Sequence, residues 1–183
     1  MTEPVVLVTG FGPFLDIADN PAACLARAVD ARRAGDAWVV GRVLPVSYEA
    51  GPALTRAWAE SLDAVAIIGL GIARGRTAVC VERTGRRRAD PVLFDTDGAC
   101  LSDLEPGGPD SVTATLDAEA FAATLGAEVS DDAGAYVCNA WLYRVVRALP
   151  RCPVLFVHLP PAGLDPDSLL GAIRALRPAG SRA

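Results

Sequence analysis

Val5-Val6-Leu7-Val8-Thr9-Gly10 is the stretch that decides the fold, because it is a continuous run of apolar, mostly β-branched residues ended by a glycine. An uninterrupted apolar run is typical of a strand buried on both faces of a parallel sheet. Comparable runs recur at residues 64–70 and 153–158, and helical patterns separate them. We therefore predict an α/β fold, a three-layer α/β/α arrangement with a mostly parallel central sheet.

The segments between the strands predict helices. Asn20-Pro21 is typical of a helix start, and a second helix is predicted over residues 47–62, with Leu54, Trp58 and Leu62 on its apolar face. Residues 84–109 are polar and rich in turn formers, which indicates a hairpin excursion at the edge of the sheet. Neither a linker nor a repeat interrupts the pattern, so residues 1–183 are expected to form one α/β domain.

Composition excludes several classes of function. Hydrophobic residues make up 51% of the 183 residues, as in a protein with a real core, and the net charge of -5 argues against general nucleic-acid binding. All 17 basic residues are arginine. The absence of lysine removes P-loop phosphate binding and Schiff-base chemistry, including attachment of pyridoxal phosphate.

The five cysteines indicate reduced thiols. Their number is odd, no two form a C-x-x-C pair, and none has metal-ligand spacing, so we expect no metal site. The first residues run directly into a strand, and no apolar stretch approaches the roughly 18 residues of a membrane span. These features predict a cytoplasmic protein with no membrane partner.

His158 is the only histidine, so any mechanism with a histidine base must use it. It ends an apolar strand, and the ends of strands are where α/β proteins build sites. The alternative is a structural, half-buried imidazole. The best candidate acid to orient it is Glu82, which follows the apolar Val79-Cys80-Val81; the alternative for Glu82 is a salt bridge to Arg83 or another arginine.

Cys138 is the candidate nucleophile. It lies where a loop passes into a helix predicted over residues 139–149. The unpaired backbone N–H groups and the dipole at such a helix start favour the thiolate, so we expect a lowered thiol pKa. The same N–H groups could stabilise an oxyanion. The alternative is a thiol that only fills space in the core.

Phe11 and Phe14 lie on the loop that follows the first strand, Thr9-Gly10-Phe11-Gly12-Pro13-Phe14. This loop is not a dinucleotide-binding fingerprint, because Pro13 and Phe14 interrupt the glycine spacing that such a motif needs. Two aromatic residues on a loop predict walls for a small, flat ligand, and the alternative is a loop tucked into the core.

Taken together, these residues resemble the pyroglutamyl peptidase I family of cysteine peptidases (pyrrolidone-carboxylate peptidases) over nearly the whole chain. The resemblance is carried by a series of motifs in family order: Val8 to Phe14 with Asn20-Pro21, Gly75-Arg76 through Glu82-Arg83, Asp90, Gly98, Ala133-Gly134, Tyr136-Val137-Cys138-Asn139 and Val157-His158-Leu159-Pro160.

The resemblance implies removal of an N-terminal pyroglutamyl residue from a peptide or small amide through an acyl-thioenzyme. It implies Cys138 as nucleophile, His158 as base and then acid, Glu82 as orienting acid, and Phe11 and Phe14 as walls of the ring pocket. No cofactor is expected. Members of the family are often tetramers, so the resemblance also implies a homo-oligomer.

Two substrate-binding positions depart from the family pattern. Ile72 stands where members commonly have glutamine, and Val92 stands where they usually have an arginine. Our hypothesis is that one of Arg86, Arg87 and Arg88 replaces that arginine. These departures leave two alternatives to pyroglutamyl hydrolysis: a homologue with altered acyl or amide specificity, and a non-catalytic module of the same fold that binds a small molecule.

Overall fold

The computed structural model of the protein describes residues 3–176. Its helices are Pro21–Val29 (α1), Ala50–Leu62 (α2), Ala118–Leu125 (α3), Val137–Ala148 (α4) and Pro166–Arg174 (α5). Its strands are Val5–Phe11 (β1), Arg32–Ala34 (β2), Ala37–Leu44 (β3), Ala66–Ile72 (β4), Cys80–Glu82 (β5), Thr84–Arg86 (β6), Ser111–Thr113 (β7), Glu128–Ser130 (β8) and Val154–Leu159 (β9).

Seven of these strands form one sheet in the order β2-β3-β1-β4-β9-β5-β8. Strand β1 lies inside it, parallel to β3 on one side and to β4 on the other. The β4–β9 and β5–β8 pairs are also parallel, whereas β2–β3 and β5–β9 are antiparallel. The predicted mostly parallel central sheet is confirmed.

Helices cover both faces of this sheet. One apolar cluster joins the sheet to α1, α3 and α5, and it includes Leu25, Phe121 and Leu169. The other cluster lies between the sheet and α2 and α4, and it includes Ala59 and Trp141. The three-layer α/β/α prediction is therefore confirmed, and α4 belongs to the layer that carries the site.

Local signals set several helix ends where the sequence predicts them. The Asn20 side chain accepts a hydrogen bond from the N–H of Ala22 at 3.0 Å, and Pro21 is the first residue of α1. Gly126 ends α3 in the left-handed region, with φ of 63°.

Two local predictions are only partly right. The polar segment 84–109 begins with β6, but its partner β7 lies beyond residue 109, and the two strands form a separate two-stranded sheet that packs on α4 and not at the edge of the main sheet. A Cβ on Gly85 would lie 2.9 Å from the backbone nitrogen of Tyr143, so the glycine permits this close approach. In α2, the predicted apolar face is wrong at Leu54, which is exposed while Thr55 and Ala59 are buried, but Trp58 and Leu62 pack against the core as predicted.

Candidate active site

The site lies at the carboxyl ends of β4 and β9, beside the end of β5 and the first turn of α4. His158 on β9 pairs in register with Gly71 on β4 and with Cys80 on β5. Glu82 is opposite Phe156, two residues before His158 on the same face. The register therefore makes Glu82 and His158 diagonal neighbours on the face covered by α4.

A buried hydrogen bond joins these two side chains. His158 Nδ1 lies 2.8 Å from Glu82 Oε1, and Glu82 is fully buried while His158 is nearly so. Because a carboxylate only accepts, Nδ1 carries the hydrogen and Nε2 keeps a lone pair that can take a proton. The Phe156 ring packs edge-on against the imidazole, with 5.1 Å between ring centroids, and limits its orientation.

Cys138 is the second residue of α4, which begins two residues before the predicted start at Asn139, so the thiol does lie at the start of a helix. Its neighbour Tyr136 is the N-cap residue and provides no side-chain cap, so the first N–H groups of the helix are free of intrahelical partners. Asn139 holds this turn against the hairpin, since its side chain accepts from the N–H of Arg86 and donates to the carbonyls of Arg86 and Arg88 at 2.7–2.9 Å.

Gly71 on β4 lies under the thiol and pairs with the histidine in the sheet. A Cβ on Gly71 would lie 2.7 Å from Cys138 Sγ and 2.7 Å from Cζ of Phe156. The thiol therefore lies over the backbone of β4, in space that any larger residue at position 71 would take, and the strand residue paired with Gly71 is His158.

Burial changes the expected charge state of the thiol. It raises the pKa of Cys138 to about 12, and the nearby Glu82 carboxylate adds to the increase, whereas a backbone N–H group acts in the opposite direction. The expectation of a lowered pKa is therefore wrong. The backbone N–H at the helix start lowers the thiol pKa as expected, but the loss of hydration raises it by more. The thiol must therefore lose its proton to a neighbouring base during the reaction.

A cavity of about 360 Å³ opens over these residues. Cys138 and His158 line it together, and so do three of the predicted substrate-binding residues, Phe11, Phe14 and Ile72. Its other apolar lining residues include Val46, Tyr136 and Val137. The centroids of the Phe14 and Tyr136 rings are 6.3 Å apart. The cavity has the size and lining of a site for a small, weakly polar group.

Val92 is not among the residues that line this cavity, so the structure does not bring this predicted substrate-binding residue to the site. The Asp90 side chain accepts from the N–H of Val92 at 3.0 Å, and this turn directs the Val92 side chain into solvent, where it is 72% exposed. The segment stays close to the site through a hydrogen bond from the N–H of Asp90 to the carbonyl of Ala135, a cavity residue.

The structure places Arg86, Arg87 and Arg88 outside the cavity as well. Arg87 pairs with Asp110 at 2.9 Å, and Arg88 pairs with Asp132 at 3.2 Å. The hypothesis that one of the three supplies a cavity arginine is not supported, because acidic partners and the backbone already hold them.

Arg76, which the sequence reasoning did not assign a role, does line the cavity. Its Nη1 lies 2.7 Å from Glu82 Oε1. The predicted alternative of a salt bridge from Glu82 to Arg83 is wrong, since Arg83 pairs with Glu119 and with Asp131, but the salt bridge to another arginine is confirmed. The Gly75-Arg76 pair after a buried strand was the only signal in the sequence, and it did not indicate where the guanidinium would point.

Between residues 3 and 176, no group of three or more His, Cys, Asp or Glu side chains is arranged to hold a metal ion. None of the helices in that range has the length and apolar character needed to cross a membrane.

Comparison with known proteins gives one consistent result. The family model described as pyroglutamyl peptidase matches residues 4–163. The chain is 36% identical to a pyrrolidone-carboxylate peptidase from Cupriavidus taiwanensis, over 86% of this chain and 78% of the relative. It is 37% identical to one from Mycobacterium marinum, over 85% and 76%.

Solved structures agree with the sequence matches. The pyrrolidone carboxyl peptidase from Thermococcus litoralis superimposes with a TM-score of 0.84 at 28% identity, covering 93% of this chain and 90% of that chain. The enzyme from Pyrococcus furiosus gives a TM-score of 0.81 at 28% identity, covering 93% and 94%.

Proposed function

This chain belongs to the pyroglutamyl peptidase family, and we propose that Cys138, His158 and Glu82 carry out its reaction, the removal of an N-terminal pyroglutamyl residue from a peptide. The observation that supports these roles most strongly is the 2.8 Å hydrogen bond from His158 to the buried Glu82, at the wall of a cavity that Cys138 also lines. A thiol, an imidazole and an orienting acid are the parts that a cysteine peptidase needs.

The first step is attack of Cys138 Sγ on the pyroglutamyl carbonyl carbon. Because burial raises the thiol pKa to about 12, the proton moves to His158 Nε2 as the carbon–sulfur bond forms. Glu82 stabilises the resulting imidazolium through Nδ1. The carbonyl oxygen becomes an oxyanion, and the backbone N–H of Cys138 at the start of α4 is placed to donate to it.

The second half of the reaction uses the same groups. The imidazolium gives its proton to the departing amine as the carbon–nitrogen bond breaks, which leaves a pyroglutamyl thioester on Cys138. His158 then takes a proton from water, the hydroxide adds to the thioester, and the thiol leaves with the proton. The cycle needs no cofactor.

Phe11, Phe14 and Ile72 form the proposed walls for the pyrrolidone ring. All three line the cavity, and the backbone of residues 133–135 forms another side of it. The cavity is also lined by three polar or charged residues, Asn20, Arg76 and Asp132. The apolar surface of Phe11, Phe14 and Ile72 suits a small, uncharged lactam ring better than a charged amino terminus, which would be costly to desolvate there.

A series of fluorogenic amides with one leaving group tests this substrate assignment. We expect the pyroglutamyl amide to be cleaved, and the prolyl and acetyl amides to be cleaved at least about 100-fold more slowly, since a buried ammonium or an unfilled ring pocket costs several kcal/mol. The measurement is kcat/KM for each amide. Equal or better cleavage of the prolyl or acetyl amide would contradict the pyroglutamyl assignment.

Gly71→Ala tests the placement of the nucleophile. The added methyl group would meet Cys138 Sγ and Phe156 at 2.7 Å, so the thiol must move, and a displacement of about 1 Å typically lowers the rate about 100-fold. Gly75→Ala is the matched control, because nothing lies within 4 Å of a Cβ there. Unchanged kcat in Gly71→Ala, with folding verified by near-UV circular dichroism, would rule out this placement.

Location and assembly are further parts of the proposal. All five cysteines are free, which favours a reducing compartment such as the cytoplasm. Assembly into a homo-oligomer is implied by the family resemblance alone and stays a prediction.

A further inference from the structure

Arg76 makes an unusual contact for a residue on a surface turn. It follows β4, in a turn where its N–H donates to the carbonyl of Ala73 at 3.0 Å, and its side chain is 28% exposed. The guanidinium reaches inward to Glu82, whose side chain is 0% exposed. A permanent cation therefore contacts the fully buried carboxylate that orients His158.

His158 and Arg76 contact the same oxygen of Glu82. Oε1 lies 2.8 Å from His158 Nδ1 and 2.7 Å from Arg76 Nη1, whereas the buried Oε2 has no hydrogen-bond partner. A free carboxylate could turn either oxygen toward the imidazole. The contact with the guanidinium fixes the position of Oε1, and this in turn fixes the orientation of the hydrogen bond to His158 Nδ1.

The other end of the guanidinium is anchored to the cavity wall. Arg76 Nη2 donates to the carbonyl of Asp132 at 2.8 Å and to Ser130 Oγ at 3.1 Å. Ser130 ends β8, and Asp132 lies on the loop that lines the cavity. One side chain thus connects the orienting acid on β5 with the loop that faces the substrate.

Charge gives Arg76 a second effect on the same pair. A buried carboxylate is costly unless a cation or several donors compensate it, and a neutral imidazole supplies only one donor. Arg76 compensates Glu82 in every protonation state of His158. The acid can then remain an anion before the imidazole takes the thiol proton, and it is ready to stabilise the imidazolium afterwards.

We propose, building on the function above, that Arg76 is a positioning residue: it fixes Glu82 Oε1 as the partner of His158 and so sets how well the imidazole takes the Cys138 proton. It does not contact the reacting atoms in this role. Kinetic measurements can separate this role from simple support of the cavity loop, because support of the loop would act on substrate binding, whereas positioning of the acid would act on proton transfer.

The test compares Arg76→Gln, Arg76→Lys and the control Arg74→Gln. Arg74 lies on the same turn, but its side chain is half-exposed and pairs with Asp16. Two rates are measured at neutral pH: kcat and KM for a pyroglutamyl amide, and the rate at which iodoacetamide alkylates Cys138. Alkylation is followed on the Cys138 peptide by mass spectrometry, since the exposed Cys24 also reacts.

We expect Arg76→Gln to lower kcat and the Cys138 alkylation rate together by about 10- to 100-fold, the loss typical when the partner that orients a metal-binding histidine is removed. KM should stay near its original value. Arg76→Lys should recover part of both rates, because an ammonium keeps the positive charge near Glu82 but cannot contact Oε1 and the Asp132 carbonyl through two separate nitrogens. Arg74→Gln should change neither rate.

Unchanged kcat and alkylation in Arg76→Gln, or an effect confined to KM, would overturn the positioning role. If Arg76→Gln does not fold, Arg76→Lys decides: alkylation at the wild-type rate would count against the proposal, and a slower rate would support it. Alkylation needs no substrate, so a wild-type protein inactive on pyroglutamyl amides would contradict the proposed function and still leave Arg76 tested.

Discussion

Cys138→Ala is expected to lower kcat for a pyroglutamyl amide by about 10⁶-fold, the scale seen when a nucleophile is removed from a hydrolase triad. No acyl-enzyme can form without the thiol, and the cavity residues that remain only bind and polarise the substrate. Cys138 has the one thiol that lines the cavity with His158. The measurement is the initial rate of fluorophore release at saturating substrate.

Cys24→Ala is the matched control for that loss. Cys24 is a free, exposed cysteine on α1, outside the cavity. Its replacement should leave kcat and KM unchanged. A Cys138→Ala variant that retains more than a small fraction of the wild-type rate would show that another group attacks the carbonyl.

Glu82→Gln is expected to lower kcat by about 10²- to 10⁴-fold, with folding retained because the two side chains have nearly the same shape. The neutral amide cannot stabilise an imidazolium. If its NH₂ group faces Nδ1, it also stabilises the other tautomer, in which Nε2 carries the hydrogen and cannot accept the thiol proton. The contact with Arg76 would weaken at the same time.

Glu119→Gln serves as the control for changing a carboxylate to an amide. Glu119 is exposed on α3, where it pairs with Arg83 outside the cavity. Its replacement should leave the kinetic constants unchanged. Wild-type kcat in Glu82→Gln would show that His158 is oriented by its packing on Phe156 and not by the acid.

Much of this architecture could be predicted from the sequence, because the signals are local. Apolar runs such as the one ending at Gly10 identify buried strands, and the carboxyl ends of neighbouring strands meet at one edge. His158, at the end of such a run, is therefore expected at that edge, whereas Cys138 was predicted from its place at a helix start and joined to His158 by the family resemblance. Glu82 was predicted from a similar argument, since an acid directly after an apolar strand needs a partner.

Other features depend on geometry that no local pattern contains. The short edge strands β2 and β8 have only three residues each and too little periodicity to be detected. In α2, the apolar pattern pointed to Leu54, but the helix turns Thr55 inward, where its hydroxyl accepts from the Trp141 indole at 2.8 Å. A tertiary hydrogen bond and close helix packing overrode the apolar pattern there.

The arginines show the same limit most clearly. The sequence directs attention to Arg86, Arg87 and Arg88 because they are adjacent, yet their partners are acids at the surface and the backbone. Arg76, with no cluster around it, is the arginine that reaches Glu82. Likewise, the raised pKa of Cys138 reflects burial by residues distant in sequence, which the position at a helix start did not reveal.

The most direct test of the central claim is to identify the covalent intermediate. The enzyme is mixed with a pyroglutamyl amide, quenched in acid within the first turnovers, digested, and examined by peptide mass spectrometry. We predict one pyroglutamyl group on the peptide that contains Cys138, and none on the peptides of the other four cysteines or in Cys138→Ala. A pyroglutamyl group on any other residue, with Cys138 unmodified during turnover, would contradict the account.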